Sequence, residues 1–332
     1  MKILRILLFP IVPIYFLVTW VRNRLYDSGI KSSKVYDFPV ICVGNLSTGG
    51  TGKTPMIEYL VKLLSDQRKI ATLSRGYKRV TKGFVLADEN ANVDTIGDEP
   101  FQFYNKFSEV YVAVDEDRQH GISALRSFEP QPEVFLLDDA FQHRKVKAGL
   151  NILLTSYYNL YVNDIVLPTG NLREPKLGAQ RADIIVVTKC PNDLSEGKKA
   201  SILKTIRPKP HQKVFFSFIK YSDSVISVIE KKSLEDLPTF TLVTGIANAK
   251  PLVDFLNSKH LDFEHLEFGD HYNFTIKDIE LLEKKSLLLA TEKDFMRLKD
   301  VESLQPKLYH IPIEIKIDRP EKFNKLIEEF SI

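Results

Sequence analysis

One segment, Ser47-Thr48-Gly49-Gly50-Thr51-Gly52-Lys53-Thr54, constrains the fold of this chain more than any other feature. An apolar run at 39–43 precedes it and a helix-like run at 55–67 follows it, which is the context of a phosphate-binding loop. Glycine tolerates positive φ, so backbone N–H groups can converge on phosphate oxygens at the start of the helix. We predict that the segment binds a nucleoside triphosphate, with Lys53 at the β- and γ-phosphates and Thr54 as a Mg²⁺ ligand.

The loop departs from the strict Walker A pattern at its first position, where Ser47 replaces glycine. Its Gly-Gly-x-Gly-Lys-Thr core is similar to the loop of partition-type ATPases. An ordinary glycine-rich turn is the alternative, but Lys53 and Thr54 follow the glycines in the frame that phosphate binding requires. The loop does not identify the group that accepts the phosphate.

Composition limits the classes of partner. The chain has 332 residues and 44% hydrophobic content, enough for a large core and for two domains. Its 46 basic residues nearly balance its 43 acidic residues, and a net charge of +3 argues against a dedicated nucleic-acid binder. Cys42 and Cys190 lie on or beside apolar runs, as buried thiols do in a reducing compartment. No feature indicates zinc or a protein partner.

The N-terminal segment is unusually apolar. Residues 6–21 carry no charge, and basic residues flank them on both sides. The run is shorter than the roughly 20 residues that span a bilayer, contains two prolines, and lacks the cleavage site of a signal peptide. We predict an apolar helix over residues 1–24 that lies in the membrane interface, with Trp20 at the headgroups. A helix packed on the rest of the protein is the alternative.

Apolar runs then alternate with helix-like stretches. The predicted strands are 40–43, 70–74, 110–114, 134–138, 152–155 and 184–188. The predicted helices among them are 55–67, 99–107, 118–128 and 194–206. This alternation predicts an α/β fold of the P-loop NTPase type, a mostly parallel sheet flanked by helices. Ligands of such sheets bind beyond the carboxyl ends of the strands, so residues after each strand are the candidates for chemistry.

The pattern changes after residue 206, where two prolines interrupt it. Alternating segments at 213–219 and 224–230 predict a β-hairpin linker within 211–238. A smaller second α/β domain is predicted over 239–332, and the P-loop core over 25–210. The second domain would have strands at 240–245, 263–268, 287–291 and 308–315, and helices at 250–259, 276–283, 293–298 and from residue 320. Its last residues would be able to return to the core.

Acidic residues follow or begin two predicted elements. Asp138 and Asp139 close the strand 134–138, at the Walker B position that holds Mg²⁺ directly or through water. A solvated turn is the alternative. Asp98 and Glu99 stand at a predicted helix start, where the helix dipole alone would also favour them.

Other polar segments are less informative. A basic turn at 74–79 follows the second strand, and a loop at 167–175 is equally compatible with a plain surface role. Asp270 and His271 form a pair that gains meaning only if the two domains face each other across the nucleotide. Thr188-Lys189 is weakly similar to a guanine-reading Thr-Lys-x-Asp motif, but the aspartate is displaced to position 193.

Taken together, these segments resemble the tetraacyldisaccharide 4′-kinase (lipid A 4′-kinase) family. Each matching piece is short, but the ordered set is specific and covers nearly the whole chain. The pieces are the apolar N-terminus, 43–55, 73–77, 97–100, 138–144, 167–175, 244–248, 268–271 and 290–294. Ser47 at the first loop position also follows the family pattern.

The resemblance implies an activity and a location. The γ-phosphoryl group of ATP would pass to the 4′-hydroxyl of a tetraacyl glucosamine-disaccharide 1-phosphate, an acylated lipid A precursor. The protein would be peripheral or monotopic at the cytoplasmic face of the bacterial inner membrane. Its two domains would be joined by a hairpin linker.

The resemblance also implies roles for particular residues. Asp98 would take the proton of the acceptor hydroxyl, and His271 would orient or tune Asp98. Mg²⁺ would be held by Thr54, Asp138, Asp139 and, on domain closure, Glu99. Arg75, Lys78 and Arg79 would bind the substrate phosphate. Arg173 and Glu174 would also contact the substrate, and they would organise the phosphate end of the site.

Two alternatives belong to other classes. A membrane-associated partition-type ATPase switch would share the loop core, but it gives no reason for Asp98, His271 and the apolar N-terminus together. This chain also has no lysine at Thr48, where that group carries one. A GTP-dependent scaffold is supported by Thr188-Lys189 alone.

Overall fold

The structure, a computed structural model, describes residues 2–270 and 272–332, with side chains from Arg5 onward. Within these ranges the strands form two sheets. The larger sheet contains β1 Val40–Asn45, β2 Ile70–Ser74, β3 Val85–Leu86, β4 Tyr111–Val114, β5 Val134–Asp138, β6 Leu150–Ser156, β7 Ile184–Cys190, β8 Lys213–Tyr221 and β15 Ile313–Ile317. The described helices are α1 Lys2–Leu7, α2 Val12–Asp27, α3 Lys53–Leu64, α4 Val93–Ile96, α5 Asp98–Lys106, α6 Arg118–Leu125, α7 Glu196–Ile206, α8 Lys250–Ser258, α9 Ile276–Glu283, α10 Glu292–Leu298 and α11 Pro320–Phe330.

The larger sheet confirms the predicted fold class. Its strand order is β15-β8-β7-β6-β1-β5-β2-β4-β3, and the strands from β8 to β4 are parallel. Only the described edge strands, β15 and β3, run antiparallel to their neighbours. Strand β1 is buried throughout, because Val40 and Cys42 pack with α6 and α7 on one face while Ile41 and Val43 pack with α3, α5 and α11 on the other.

The smaller sheet has the order β10-β9-β14-β13-β11-β12. Its strands are β9 Ser224–Ile226, β10 Lys231–Ser233, β11 Phe240–Thr244, β12 Phe263–Glu267, β13 Leu288–Thr291 and β14 Leu308–Ile311. Helix α8 packs on one face through Leu252 and Leu256. On the other face, Phe295 of α10 lies in one cluster with Ile96 and Phe101, so this face is packed against the α4–α5 region.

Two predictions about strand pairing are wrong. The segments 213–219 and 224–230 do not pair with each other: β8 lies between β7 and β15 in the larger sheet, and β9 pairs with β10 and β14 in the smaller one. The predicted strand 308–315 is broken at Pro312, where β14 ends and β15 begins in the other sheet. Proline lacks the N–H that would continue a strand ladder. The chain therefore crosses between the sheets twice, and β15 and α11 return to the larger one.

The return of the chain completes the packing of the P-loop helix. Phe323 and Ile327 of α11 join the buried cluster formed by α3, and the Tyr59 hydroxyl donates to Asn324 Oδ1 at 2.7 Å. The ring of Tyr59 also meets that of Phe323 edge-on, with centroids 5.7 Å apart. Helix α3 is therefore held by residues more than 250 positions further along the chain.

Candidate active site

The loop from Ser47 to Thr54 connects the carboxyl end of β1 to α3, as predicted. Gly49 and Gly52 have φ of +100° and +86°, the left-handed region that glycine accepts without strain. Two side chains support the loop from below: Asn45 Nδ2 donates to Thr51 Oγ1, and Thr188 Oγ1 donates to the Thr51 carbonyl, both at 2.7 Å. Lys53 begins the helix, so the N-terminus of α3 faces the same space as the loop.

The predicted loop 167–175 supports the start of the phosphate loop. The Thr48 N–H donates to the Asn171 carbonyl at 2.8 Å, and the Arg173 N–H donates to the Leu46 carbonyl at 2.7 Å. Ser47 and Leu172 form an isolated antiparallel bridge. The segment therefore holds the entrance of the phosphate loop through this isolated bridge and two backbone hydrogen bonds.

Asp138 is the last residue of β5 and is 5% exposed. Its Oδ1 atom is buried without a hydrogen-bond partner among the described residues. Burial raises the pKa of Asp138 to about 7; the charges of Lys53 and Arg118 oppose this shift, while those of Asp139 and Glu99 add to it. An oxygen left unpartnered in this position is suited to a cation that arrives with the ligand.

Asp139 has a different environment from its neighbour. It adopts a φ of +48°, and both of its carboxylate oxygens accept from Arg173 Nη1 at 2.8 Å. Lys53 Nζ lies 3.7 Å from its Oδ1. Burial works to raise the pKa of Asp139, but Lys53 and Arg173 outweigh it and the pKa is lowered. The predicted residues Lys53, Asp139 and Arg173 thus form one chain of contacts.

Asp98 and Glu99 form the first turn of α5, directly after Gly97 with its φ of +90°. Each pairs with a basic residue of α10. Arg297 donates through Nε and Nη2 to the two carboxylate oxygens of Asp98, and Lys293 Nζ lies 2.7 Å from Glu99 Oε1. The charge of Glu99 acts on Asp138, which places the α5 start beside the end of β5.

A buried ionic cluster lies further along the same helices. Lys106 Nζ of α5 bonds to Glu58 Oε2 of α3 at 2.7 Å and to Glu292 Oε1 of α10 at 2.8 Å. Burial raises the pKa of Glu58 to about 7; Glu292 adds to the shift, and Lys106 opposes it. The three helices that begin at the site are therefore tied together by one lysine.

These groups meet at the carboxyl edge of the larger sheet, and the comparisons with known proteins identify the family. The family model described as Tetraacyldisaccharide-1-P 4′-kinase matches residues 4–331. The chain belongs to this family. The predicted activity is thereby confirmed: the protein is a kinase of lipid A biosynthesis. The two alternatives, a partition-type ATPase and a GTP-dependent scaffold, are set aside.

Individual relatives match this chain along nearly their whole length. The Tetraacyldisaccharide 4′-kinase of Flavobacterium johnsoniae is 51% identical over 319 residues, covering 95% of this chain and 93% of the relative. That of Phocaeicola vulgatus is 42% identical over 344 residues, covering 97% and 94%. The LpxK structure from Aquifex aeolicus, described as a complex with ATP, has 32% identity and a TM-score of 0.80, covering 99% of this chain and 100% of that one.

The kinase has a basic turn beside Asp98, but its three predicted residues are not equivalent. A Cβ on Gly97 would lie 3.0 Å from the Tyr77 carbonyl, so the turn packs directly against the α5 start. Arg75 and Lys78 are exposed. Arg79 is not available in the same way, because its side chain is 2% exposed and its Nη2 bonds to Glu116 and the Gly83 carbonyl at 2.7 Å.

Glu174 of the kinase is 1% exposed and does not reach the surface of the site. Its carboxylate accepts from Gln142 Nε2 at 3.0 Å and from Arg181 Nη2 at 2.8 Å, and also from Asn23 of α2. This placement does not favour the predicted contact with substrate. It makes Glu174 the point where the N-terminal helix, the segment that follows β5 and the loop 167–175 are joined.

Sequence reasoning missed several residues of the site. Lys293 and Arg297 received no role, although the neighbouring segment 290–294 had been recognised. The buried Arg118 was not identified either; its Nη1 donates to the Asp115 carbonyl at 2.7 Å, and its charge acts on Asp138. His271 lies outside the described residues, so its predicted partnership with Asp98 stays a prediction.

The N-terminal helices of the kinase have two different sides. One side packs on the protein: the Tyr15 hydroxyl donates to the Arg173 carbonyl at 2.9 Å, and Arg22 Nη2 donates to the Gln142 carbonyl at 2.7 Å. The other side exposes apolar residues, including Ile14, Leu17 and Val18. Among the described residues, no helix combines the length and the apolar character needed to cross a bilayer.

Proposed function

We propose that the kinase transfers the γ-phosphoryl group of ATP to the 4′-hydroxyl of a tetraacyl glucosamine-disaccharide 1-phosphate at a membrane surface. The observation that carries this proposal is the convergence of the phosphate loop, Asp138–Asp139 and Asp98–Glu99 at one sheet edge in a member of this family. Phosphoryl transfer depends mainly on positioning and charge stabilisation, and these groups supply both.

The phosphate loop would hold the triphosphate. Lys53 and the loop N–H groups would compensate its charge, and Arg173 would fix Asp139 beside Lys53. Thr54, Asp138 and Asp139 fit a Mg²⁺ site, because Mg²⁺ takes few protein ligands besides phosphate oxygens and because Asp138 Oδ1 is buried and unpartnered among the described residues. When bound, Mg²⁺ would neutralise charge on the phosphate oxygens.

Asp98 would accept the proton of the 4′-hydroxyl. Arg297 donates to both carboxylate oxygens of Asp98, so the hydroxyl would join this contact or replace it as Arg297 withdraws. Glu99, whose Oε1 accepts from Lys293, would join the metal shell when the domains close. His271 would orient Asp98, and movement of α10 relative to α5 would couple these changes.

The lipid would approach from the side of the N-terminal helices. Exposed apolar residues on α2 would enter the headgroup region at the cytoplasmic face of the bacterial inner membrane. Arg75 and Lys78, exposed beside the α5 start, would meet the substrate phosphate. Arg79 and Glu174 would hold the surrounding segments in place rather than contact the lipid.

The direct test is to incubate the purified chain with γ-labelled ATP, Mg²⁺ and a tetraacyl disaccharide 1-phosphate dispersed in detergent. We expect label in the lipid, with little free phosphate when the lipid is omitted. A Lys53→Met variant serves as the control for contaminating kinases. Label released as free phosphate at the same rate with and without lipid would contradict the proposal.

A further inference from the structure

The carboxyl end of β7 is irregular where it meets the phosphate loop. The ladder between β7 and β8 shifts register between Val187 and Cys190, and Lys189 inside this bulge has a φ of +57°. Bulges re-aim side chains at the ends of strands, and a left-handed backbone at a lysine is a departure that ordinary strand pairing does not produce. We therefore expect the role of the bulge to lie in the side chains that it positions.

The bulge positions two side chains against the phosphate loop. Thr188 donates to the Thr51 carbonyl, and its side chain lies 3.7 Å from the position of a Cβ on Gly52. The ammonium group of Lys189 lies 3.7 Å from the position of a Cβ on Gly50, the closest atom there within 4 Å. Thr188 thus fixes the loop while Lys189 extends over its centre.

The Lys189 ammonium makes no hydrogen bond or ion pair with any residue that the structure describes. Burial lowers the pKa of Lys189; Asp270 opposes the shift, while Lys293 and Lys53 add to it. Three ammonium groups, from α3, β7 and α10, thus act on one another around the loop. Lys53 and Lys293 have carboxylate partners in Asp139 and Glu99, and a polyanion bound in the loop would supply a close partner for Lys189.

We propose that Lys189 is a second phosphate-binding lysine of the kinase, which contacts the triphosphate from the end of β7, while Lys53 contacts it from the start of α3. The proposal rests on the proposed function, because it takes the nucleotide to lie in the loop from Ser47 to Thr54. Lys189 would be a binding residue whose contact exists before phosphoryl transfer begins, so its loss would act on nucleotide affinity more than on turnover.

The test compares Lys189→Met with Lys189→Arg and with Lys204→Met. Methionine keeps most of the length of the side chain but removes the charge, and arginine keeps the charge. Lys204 is an exposed lysine on α7, the helix that follows the same strand. ATP affinity is measured by displacement of a fluorescent nucleotide, and inorganic tripolyphosphate serves as a competitor without a nucleoside. Thermal unfolding without nucleotide reports any structural damage.

We expect Lys189→Met to weaken binding of ATP and of tripolyphosphate by about ten- to a hundredfold, as expected for the loss of a charge-assisted hydrogen bond. Lys189→Arg should retain most of the affinity, Lys204→Met should bind as the unmodified protein does, and the melting temperatures should be similar. Unchanged affinity in Lys189→Met would overturn the proposal, and so would an equal loss in both Lys189 variants accompanied by a lower melting temperature. A failure of lipid labelling with ATP binding intact would count against the proposed function and not against Lys189.

Discussion

Arg297 holds both carboxylate oxygens of Asp98, and this contact joins the helix α10 to the start of α5. The two side chains are largely buried, with exposed fractions of 8% and 12%. The residue proposed to take a proton from the substrate is therefore positioned by a side chain about 200 residues away in sequence. The role of Asp98 in turnover and the contribution of its contact with Arg297 to stability can therefore be tested by different measurements.

Asp98→Asn should lower kcat on the order of 10² or more, because an amide cannot accept the hydroxyl proton. ATP binding should change little, since the carboxylate does not belong to the phosphate loop. Steady-state kinetics with the lipid acceptor and a separate nucleotide-binding measurement would test both parts. Turnover close to that of the unmodified protein would remove Asp98 as the base.

Removing one partner of the Asp98–Arg297 pair should destabilise the fold by about 3 kcal/mol, because the other charge stays buried and loses the contact that compensates much of it. Arg297→Met and Asp98→Leu should each show this loss, and the double variant should lose less than the sum of the two. Unfolding in urea would provide the three values. Strict additivity would show that the contact is not formed in solution.

Asp138 and Asp139 should respond in opposite ways to the same substitution. The folded pKa of Asp138 is raised, so its stabilising contribution is lost as pH rises through about 7, and Asp138→Asn should raise the melting temperature at pH 8 without metal. The pKa of Asp139 is lowered, and Asp139→Asn should reduce the melting temperature through loss of the Arg173 and Lys53 contacts. Both variants, and chelation of Mg²⁺, should suppress phosphoryl transfer. Equal changes in melting temperature for the two variants would contradict this prediction.

Glu58 should make stability depend on pH. Its folded pKa of about 7 lies above the ordinary value of 4.5, so its contribution is present below pH 4.5 and is lost as pH rises through 7. The unfolding free energy of the unmodified protein relative to Glu58→Gln should therefore fall between pH 5 and pH 8, by roughly 2 kcal/mol. Glu321→Gln, at an exposed position, is the control. A difference that does not change with pH would refute the assignment.

Charge placed on the exposed side of α2 should release the protein from lipid. Ile14→Glu combined with Val18→Glu should lower partition onto anionic phospholipid vesicles at least about tenfold, while nucleotide binding is kept. Ile276→Glu makes the same kind of change on an exposed residue of α9 and should have no effect. Sedimentation with vesicles gives the measurement; an unchanged bound fraction would show that α2 does not meet the bilayer.

The sequence predicted what short-range pattern determines. The loop from Ser47 to Thr54 and the aspartates after β5 are specified by residue type and by the strand immediately before them, and the structure places both as expected. The alternation of apolar runs likewise predicted the parallel sheet, because buried parallel strands are apolar on both faces.

Long-range partners could not be predicted in the same way. An alternating pattern shows that a segment is extended but not which strand it joins, so 213–219 and 224–230 were wrongly paired. Arg297 finds Asp98 only because α10 packs on α5. The direction of the Lys189 side chain depends on a bulge in β7 that the residue types of this segment do not predict.

The double crossing between the sheets also limits the order in which parts of the protein can fold during translation. Strand β15 and helix α11 follow the whole smaller sheet in the chain, yet they complete the edge of the larger one and cover α3. Helix α3 is translated early, but the apolar side that packs against β15 and α11 cannot be covered until those two elements have been translated. We therefore expect the nucleotide site to be complete only once nearly all of the polypeptide has been translated.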